Sequence, residues 1–298
     1  MMKRMMILCL GLIILLSFTL LLTAQEAKQK KEKKYAIEIS LGAAAINPKQ
    51  LFYRADGIDE LVSQYADFYG LDTTFTGEFK QNKRMIPVNF SVSYSLKKKW
   101  YLRAGVEYAF SNSSSGKEYQ LDWEGVTENH EYALSYKISY LMPQVGMGIR
   151  LTNAFDLYGS VGLSFSRFTY SEDVDTRLDQ VNEIATHTIY KARGTAPGFL
   201  MGLKYRVKLK KIYAHVKLEY LLLKVNRFKG SKSFQSGGAA GGDVQDGTFY
   251  QFEWNPYLME EFDYWDAFET EPSPTDRQNI DKLGLDLSCI RLMIGFSF

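Results

Sequence analysis

Apolar residues recur at every second position along most of this chain. In residues 35–46, Tyr35, Ile37, Ile39, Leu41, Ala43 and Ala45 share one side, and Glu38, Ser40, Gly42 and Ala44 share the other. A period of two predicts a strand with one greasy face. The same alternation predicts strands at 84–96 (Ile86, Val88, Phe90, Val92, Tyr94, Leu96) and 100–110 (Trp100, Leu102, Ala104, Val106, Tyr108, Phe110). Further strands follow at 155–170, 196–207 and 212–222. The stretch 131–151 also alternates, but its parity changes: Leu134, Tyr136, Ile138 and Tyr140 share one face, then Leu141, Pro143, Val145, Met147 and Ile149 do. A β-bulge near Tyr140–Leu141 is the expected cause, because an added residue flips every side chain beyond it. Pro143 sits awkwardly there, lacking a ladder donor. The final strand, 283–298, shifts parity near Ser288–Cys289 and then alternates strictly through Ile290, Leu292, Ile294, Phe296 and Phe298.

The count is eight strands, and the connections between them run long, short, long, short, long, short, long. The first long one, 47–83, carries Ile58, Leu61, Val62, Tyr65 and Phe68 at helical spacing and predicts a short amphipathic helix. Residues 111–130 and 171–195 read as polar loops. The longest connection, 226–281, is Gly-rich and then dense in aromatic and acidic residues. Strands within it would raise the count to ten.

That rhythm, apolar-out and polar-in over strands near the ~9–11 residues that cross a bilayer at a tilt, predicts an all-β, up-and-down antiparallel transmembrane β-barrel. Long loops would face the exterior and short turns the periplasm. A soluble barrel or sandwich gives no reason for one family of turns to be uniformly short.

Composition alone would pass the chain as soluble, at 46% hydrophobic and 23% charged. Twenty Tyr and nineteen Phe are the informative excess. Aromatics at strand ends fit interfacial girdles. Residues 1–24 combine Lys3 and Arg4, an apolar run and a Thr-Ala-Gln cut, which reads as a cleaved secretory signal peptide. A membrane-anchoring helix is the alternative, but it leaves the barrel pattern unexplained. Residues 25–34 (QEAKQKKEKK) read as a solvated, Lys-rich periplasmic tail, and 35–298 as the barrel domain. Removing Lys3 and Arg4 leaves acids and bases in balance, so no nucleic-acid partner is expected. One thiol, Cys289, would remain in the mature chain, with no disulfide. No Cys/His spacing suggests zinc and no Gly-rich phosphate loop precedes a helix, so neither metal nor cofactor is expected.

On signal peptide, strand pattern and terminal Phe, residues 35–298 resemble the small eight-stranded outer-membrane barrels, the OmpA- and OmpX-like class. The resemblance implies the outer membrane of a Gram-negative-type bacterium, contact with its lipid and lipopolysaccharide, and insertion by the barrel-assembly machinery. That machinery would read Ile290, Leu292, Ile294, Phe296 and Phe298. No peptidoglycan-binding domain follows, so anchoring to the cell wall is not expected.

An eight-stranded barrel is just wide enough for side chains to fill it. Its inward positions would include Glu38, Arg103, Glu107, Arg150, Lys204, Arg206, His215, Lys217, Glu219 and Arg291. Mixed charges in that space must pair, which predicts a salt-bridged plug. The basic excess among them is the argument for a narrow, anion-preferring, porin-like channel instead. An enzyme, such as a lipid-modifying barrel, would need a Ser beside a His. Of three His only His215 points inward, and Lys217 occupies the place of a His-x-Ser pair. Trp254, Tyr257, Phe262, Tyr264, Trp265 and Phe268 either fold over the barrel mouth or display a recognition surface, with folding over the mouth favoured. A non-enzymatic membrane scaffold with interacting outer loops is the leading expectation.

Overall fold

The structure, a computed structural model, describes residues 34–47, 49–96, 99–123, 126–178, 182–209, 212–236, 243–254, 262–272 and 277–298. The expected signal peptide, and all of the Lys-rich tail but Lys34, lie outside these residues.

Fourteen strands and one long helix are present among the described residues. Eight strands close a ring: β1 (Tyr35–Ala45), β3 (Arg84–Ser95), β4 (Trp100–Trp123), β5 (Val126–Arg150), β6 (Phe155–Leu178), β7 (Asn182–Leu209), β8 (Ile212–Val225) and β14 (Cys289–Ser297). Each pairs antiparallel with the next, and β14 pairs with β1 through Ile39↔Phe296 and Leu41↔Ile294. Every ring strand thus has two neighbours, and no edge is left unsatisfied. The ring has eight strands, not ten.

The expected long loops prove to be mostly sheet. β4 to β7 hold 24 to 28 residues each, well over twice what the bilayer needs. Residues 111–130 and 171–195, read as polar loops, are mostly the outer arms of hairpins in unbroken register from Trp100↔Ile149 up to Trp123↔Val126 and from Phe155↔Tyr205 up to Leu178↔Asn182. Polar, Ser- and Thr-rich strands escape a hydrophobicity test, because here neighbouring strands satisfy the backbone. β2 (Asp72–Gly77) pairs with the upper part of β4. The connection 226–281 supplies β9 (Lys229–Ser236), β10 (Asp243–Trp254), β11 (Phe262–Phe268) and β12 (Arg277–Lys282), and β13 (Leu285–Asp286) follows. β9 takes over the upper edge of β7 where β8 ends, and β10 pairs with β9, β11 and β12. Together they build a head above the ring.

The parity changes are not bulges. On β5 the buried positions Leu134, Tyr136, Ile138, Tyr140, Met142 and Gln144 are all even, and its ladder with β6 passes Met142 and Pro143 without a register shift. What changes is the medium. In the ring the outward residues are apolar and the inward ones polar; in the head the inward residues form the hydrophobic core. β8 inverts between inward Glu219 and inward Leu221, and β14 inverts between Arg291 and Cys289, in the same two rows of the barrel.

Helix α1 (Lys49–Tyr69) packs on the inner side of this head. It starts earlier than its spacing predicts and buries Leu51, Phe52, Arg54, Ala55 and Ile58, while Tyr65 and Phe68 are exposed. The predicted face is displaced because the helix buries a guanidinium, which no apolar periodicity reveals. Gly70, at φ +63°, ends the helix in the left-handed conformation that glycine adopts without penalty. The Leu71 amide then donates to the Ala66 carbonyl at 2.8 Å.

Candidate functional site: a salt-bridged lumen under an aromatic head

The outer wall of the ring comes first, because it decides the surroundings of the site. Ile39, Leu41, Val88, Leu102, Val145, Leu163, Phe199, Leu218 and Ile294 point outward and are 37–60% exposed. On β6 this face runs from Phe155 to Phe165, eleven residues, with no charged member. Charges return outside it, at Arg167, Arg193 and Lys224 on one rim and at Lys99 and Lys208 on the other. Aromatic pairs mark both rims: Tyr35–Tyr94 and Phe155–Tyr205, each 4.9 Å between centroids, below, and Tyr108–Phe110 at 5.9 Å above. A sheet that exposes a charge-free apolar belt between aromatic girdles, while burying its charges inside, has its faces arranged for lipid. The chain is a transmembrane β-barrel.

No family model matches the chain, and no curated protein matches its sequence. Among solved structures it is similar to Ail, the attachment invasion locus protein of Yersinia pestis, at 12% identity over 89% of this chain and 99% of that one, with a TM-score of 0.32. OprG of Pseudomonas aeruginosa is similar at 14% identity over 88% and 93%, TM-score 0.31. The outer-membrane protease OmpT of Escherichia coli is similar at 10% identity over 91% and 99%, TM-score 0.34. Residue roles in this barrel rest on its own geometry.

The inward positions of the barrel form two connected groups. In the first, Arg291 reaches from β14 to Glu107 with two nitrogens, each at 2.5 Å, and to Glu219 on β8 at 2.7 Å. The Tyr140 hydroxyl donates to Glu107 at 2.7 Å, and Tyr158 donates to Glu219. Arg103 donates to Asn89 at 2.8 Å and Ser91 at 3.2 Å, with its guanidinium 4.7 Å from the Tyr158 ring. In the second group, Glu38 accepts from Lys204 and from Lys217 at 3.1 Å. Lys204 also lies 3.0 Å from Asp156, which Arg206 approaches at 3.5 Å. His215 bridges Ser40 (Nε2, 3.0 Å) and Ser297 (Nδ1, 3.1 Å), while Lys217 donates to Ser40 at 2.8 Å. Arg150, half-buried near the rim, donates to Ser95 at 2.9 Å.

All ten sequence-derived lumen residues therefore lie on the inner face. Asp156, Asn89, Ser40, Ser297, Tyr140 and Tyr158 were missed as partners. Alternation places Ser40 and Asn89 on the polar side, but nothing in it says whom they meet. Asp156 matters most. With it, the fully buried charges of the ring are four acids (Glu38, Glu107, Asp156, Glu219) facing four bases (Arg103, Lys204, Lys217, Arg291). The basic excess read from sequence is mostly cancelled.

Glycines make room for these partners at close approaches. A Cβ at Gly202 would lie 2.6 Å from the Tyr158 ring, and one at Gly148 would lie 2.3 Å from the Tyr101 ring. Compensation is incomplete beside Gly146 and Gly162, where the Gln144 amide, the Ser160 hydroxyl and Nη1 of Arg103 find no hydrogen-bond partner among the described residues.

Above the charged groups lies an apolar layer of Leu221, Leu223, Val225, Leu283, Leu285 and Leu287, and then a set of edge-packed rings. Phe168, Tyr170, Tyr190, Phe249 and Trp265 have centroids 5.0–6.2 Å apart. Arg54 of α1 enters this set. It donates to Glu172 at 2.7 Å and to the Trp265 carbonyl at 3.2 Å, and its guanidinium carbon lies 4.7 Å from the rings of both Tyr190 and Tyr264. Burial by itself would lower the Arg54 pKa, but Glu172 and the surrounding oxygens hold it well above the usual value. The Tyr190 hydroxyl is pushed well up, first by burial.

Of the aromatic recognition candidates, Trp265 is wholly buried and Tyr264 and Phe268 are half-buried. Trp265 is an internal anchor, not a displayed side chain, because its indole donates to the Leu51 carbonyl (3.4 Å) and its ring faces the core. The side chains of Trp254 and Phe262, and all of Tyr257, lie outside the described residues. Exposed aromatics occur elsewhere, in the contacting trio Tyr65, Phe68 and Tyr69 at the end of α1.

Proposed function

We propose that this protein is a non-enzymatic outer-membrane barrel that holds a rigid, folded head at the cell exterior, where the head binds an extracellular ligand or partner. One observation carries the reading: the lumen is filled twice over. A charge-balanced network occupies the ring, and an apolar layer with α1 and Trp265 lies across its outer end. Four strands, β4 to β7, extend far beyond bilayer thickness, which a channel or a minimal anchor does not require. The exposed Tyr65, Phe68 and Tyr69 are the surface offered to a partner. Insertion through the barrel-assembly machinery, with the Ile290–Phe298 face as its signal, belongs to the same reading.

The enzymatic alternative has little chemistry behind it. His215 lies between two serines, but among the described residues its ring hydrogen-bonds to no carboxylate that would orient it, and Lys217 competes for Ser40.

Two measurements test the proposal together. The mature chain, refolded in detergent, should migrate faster unboiled than boiled and should not conduct in planar bilayers. Steady conductance in wild type that grows on deleting residues 49–69 would replace the display reading with the channel one.

A further inference from the structure

One side of α1 carries an aromatic ring and then two acids, because Phe52, Asp56 and Asp59 follow one another at spacings of four and three. The acids are used unequally. Asp59 accepts from Lys117 at 2.7 Å and from Tyr119. Asp56 is exposed at its edge and has Gln81 as a hydrogen-bond partner. Burial of part of the group pushes the Asp56 carboxyl up and Asp59 adds to the shift, against Gln81 and Lys49.

Between this side of α1 and the wall of β4 to β6 lies a small cavity. Asp56 stands in its lining together with Phe52, Phe79, Tyr136 and Tyr170. Phe52 and Tyr136 are buried and meet edge to face at 5.6 Å. Residues 78–83 close one side and are stitched to the hairpin: Ser113 donates to the Lys80 carbonyl at 3.2 Å, Asn82 donates to the Asn112 carbonyl at 2.6 Å, and Tyr136 donates to the Asn82 carbonyl. The cavity is therefore formed in advance of any ligand, as small-molecule sites usually are. Its room is about 20 Å³, measured to the centre of a water-sized group. A single water needs about 10–15 Å³ on that measure, so the space takes the end of a chain and not a ring.

Tyr170 makes the cavity more than a packing gap. It is 3% exposed, and its hydroxyl has no hydrogen-bond partner among the described residues. Buried hydroxyls are normally paired. Burial first, then Glu172 and to a smaller extent Asp56, push this hydroxyl well up, against Arg54, which Glu172 holds at 2.7 Å. A water would satisfy the hydroxyl alone. A cation would meet the hydroxyl oxygen, the carboxylate and the ring faces together. Lys80, the one cation lining the cavity among the described residues, is exposed.

We propose that this cavity binds the primary ammonium of an extracellular molecule, carried at the end of a straight alkyl chain. Asp56 takes its charge, the Tyr170 hydroxyl accepts a hydrogen bond from it, and Phe52, Phe79 and Tyr136 surround the chain. The site rests on the reading of the head as a ligand-binding structure and names the chemistry of that ligand.

The test is titration calorimetry on the refolded mature chain in uncharged micelles, with 1,5-diaminopentane and its neutral counterpart 1,5-pentanediol. Wild type should bind the diamine and not the diol. Asp56→Asn should weaken binding about tenfold or more, and Tyr170→Phe about threefold, as expected for a charged and a neutral hydrogen-bond partner. Lys80→Ser should bind at least as tightly as wild type, and Asp175→Asn, elsewhere in the head, should match it. Lysine amide with its α-amine acetylated, run alongside, tells a peptide side chain from a free diamine as the source, and tighter binding of either supports the site. Its trimethylated form should bind about tenfold more weakly, being too large for the room available. Equal binding of diamine and diol, no diamine binding by wild type, equal binding of the trimethylated amide, or an unaffected Asp56→Asn that keeps the fast unboiled form overturns the proposal. Bilayer conductance of the same preparation is read separately: a conducting barrel that still binds the diamine upholds the site and overturns the display reading.

Discussion

Arg54→Met removes one charge from the middle of the head. The variant leaves Glu172, whose side chain is 12% exposed, without its guanidinium, and strips the Trp265 carbonyl of its donor. Breaking a buried pair from one side costs about 3–5 kcal/mol. Glu172 sits close enough to the surface to recover some hydration as the head loosens, so about 3 kcal/mol is the working figure. At about 1.4 kcal/mol per decade, opening of α1 away from the sheet becomes roughly a hundredfold more frequent. The eight-strand ladder does not depend on Arg54, so the damage should be local. Native-state hydrogen exchange on the refolded barrel reads this directly: amides of 51–66 should exchange about a hundredfold faster, with those of β1 and β14 unchanged. The cycle with Glu172→Gln should show coupling of about 2 kcal/mol, because the second substitution removes the stranded charge. Exchange in α1 within a factor of three of wild type, or equal acceleration in β14, would refute the reasoning.

Other parts of the structure make equally definite predictions. Arg291→Met strands Glu107 and Glu219 together and should abolish the heat-modifiable form, whereas the triple variant with Glu107→Gln and Glu219→Gln should recover it in part, as gel mobility would report. Gly202→Ala forces a methyl against Tyr158 and Glu219 and should cost about 1–3 kcal/mol of urea stability, relieved by Tyr158→Leu at the contact. Leu218→Lys places a charge on the lipid face and should impair insertion by about 2–4 kcal/mol, while Lys224→Leu, just above the belt, should not. His130 in the head has its pKa lowered by burial, partly opposed by Glu128. Its neutral form therefore favours the fold; that contribution is complete above the unfolded value near 6.5 and is lost as pH falls. An NMR titration should place His130 below the ordinary value, and Glu128→Gln should lower it further.

The sequence by itself determined the membrane barrel, because lipid outside and a narrow lumen inside force a two-residue alternation on every spanning strand. It placed Glu38, Arg103, Glu107, Lys217, Glu219 and Arg291 inward for the same reason. It also showed the inversions at Tyr140–Leu141 and Ser288–Cys289, but not their meaning. Parity records which side is greasy, not whether the greasy side faces lipid or core. Only the tertiary structure settled that, by running Leu134 to Gln144 along one inner face that leaves the bilayer midway. It alone gave polar stretches such as 111–123 their strand partners, since a backbone ladder needs no hydrophobic signature. It alone paired Arg291 with Glu107 across 184 positions of chain and seated Arg54 beside Trp265. Those contacts depend on ring closure and on where β9 to β11 fold back, which no local pattern of residues encodes.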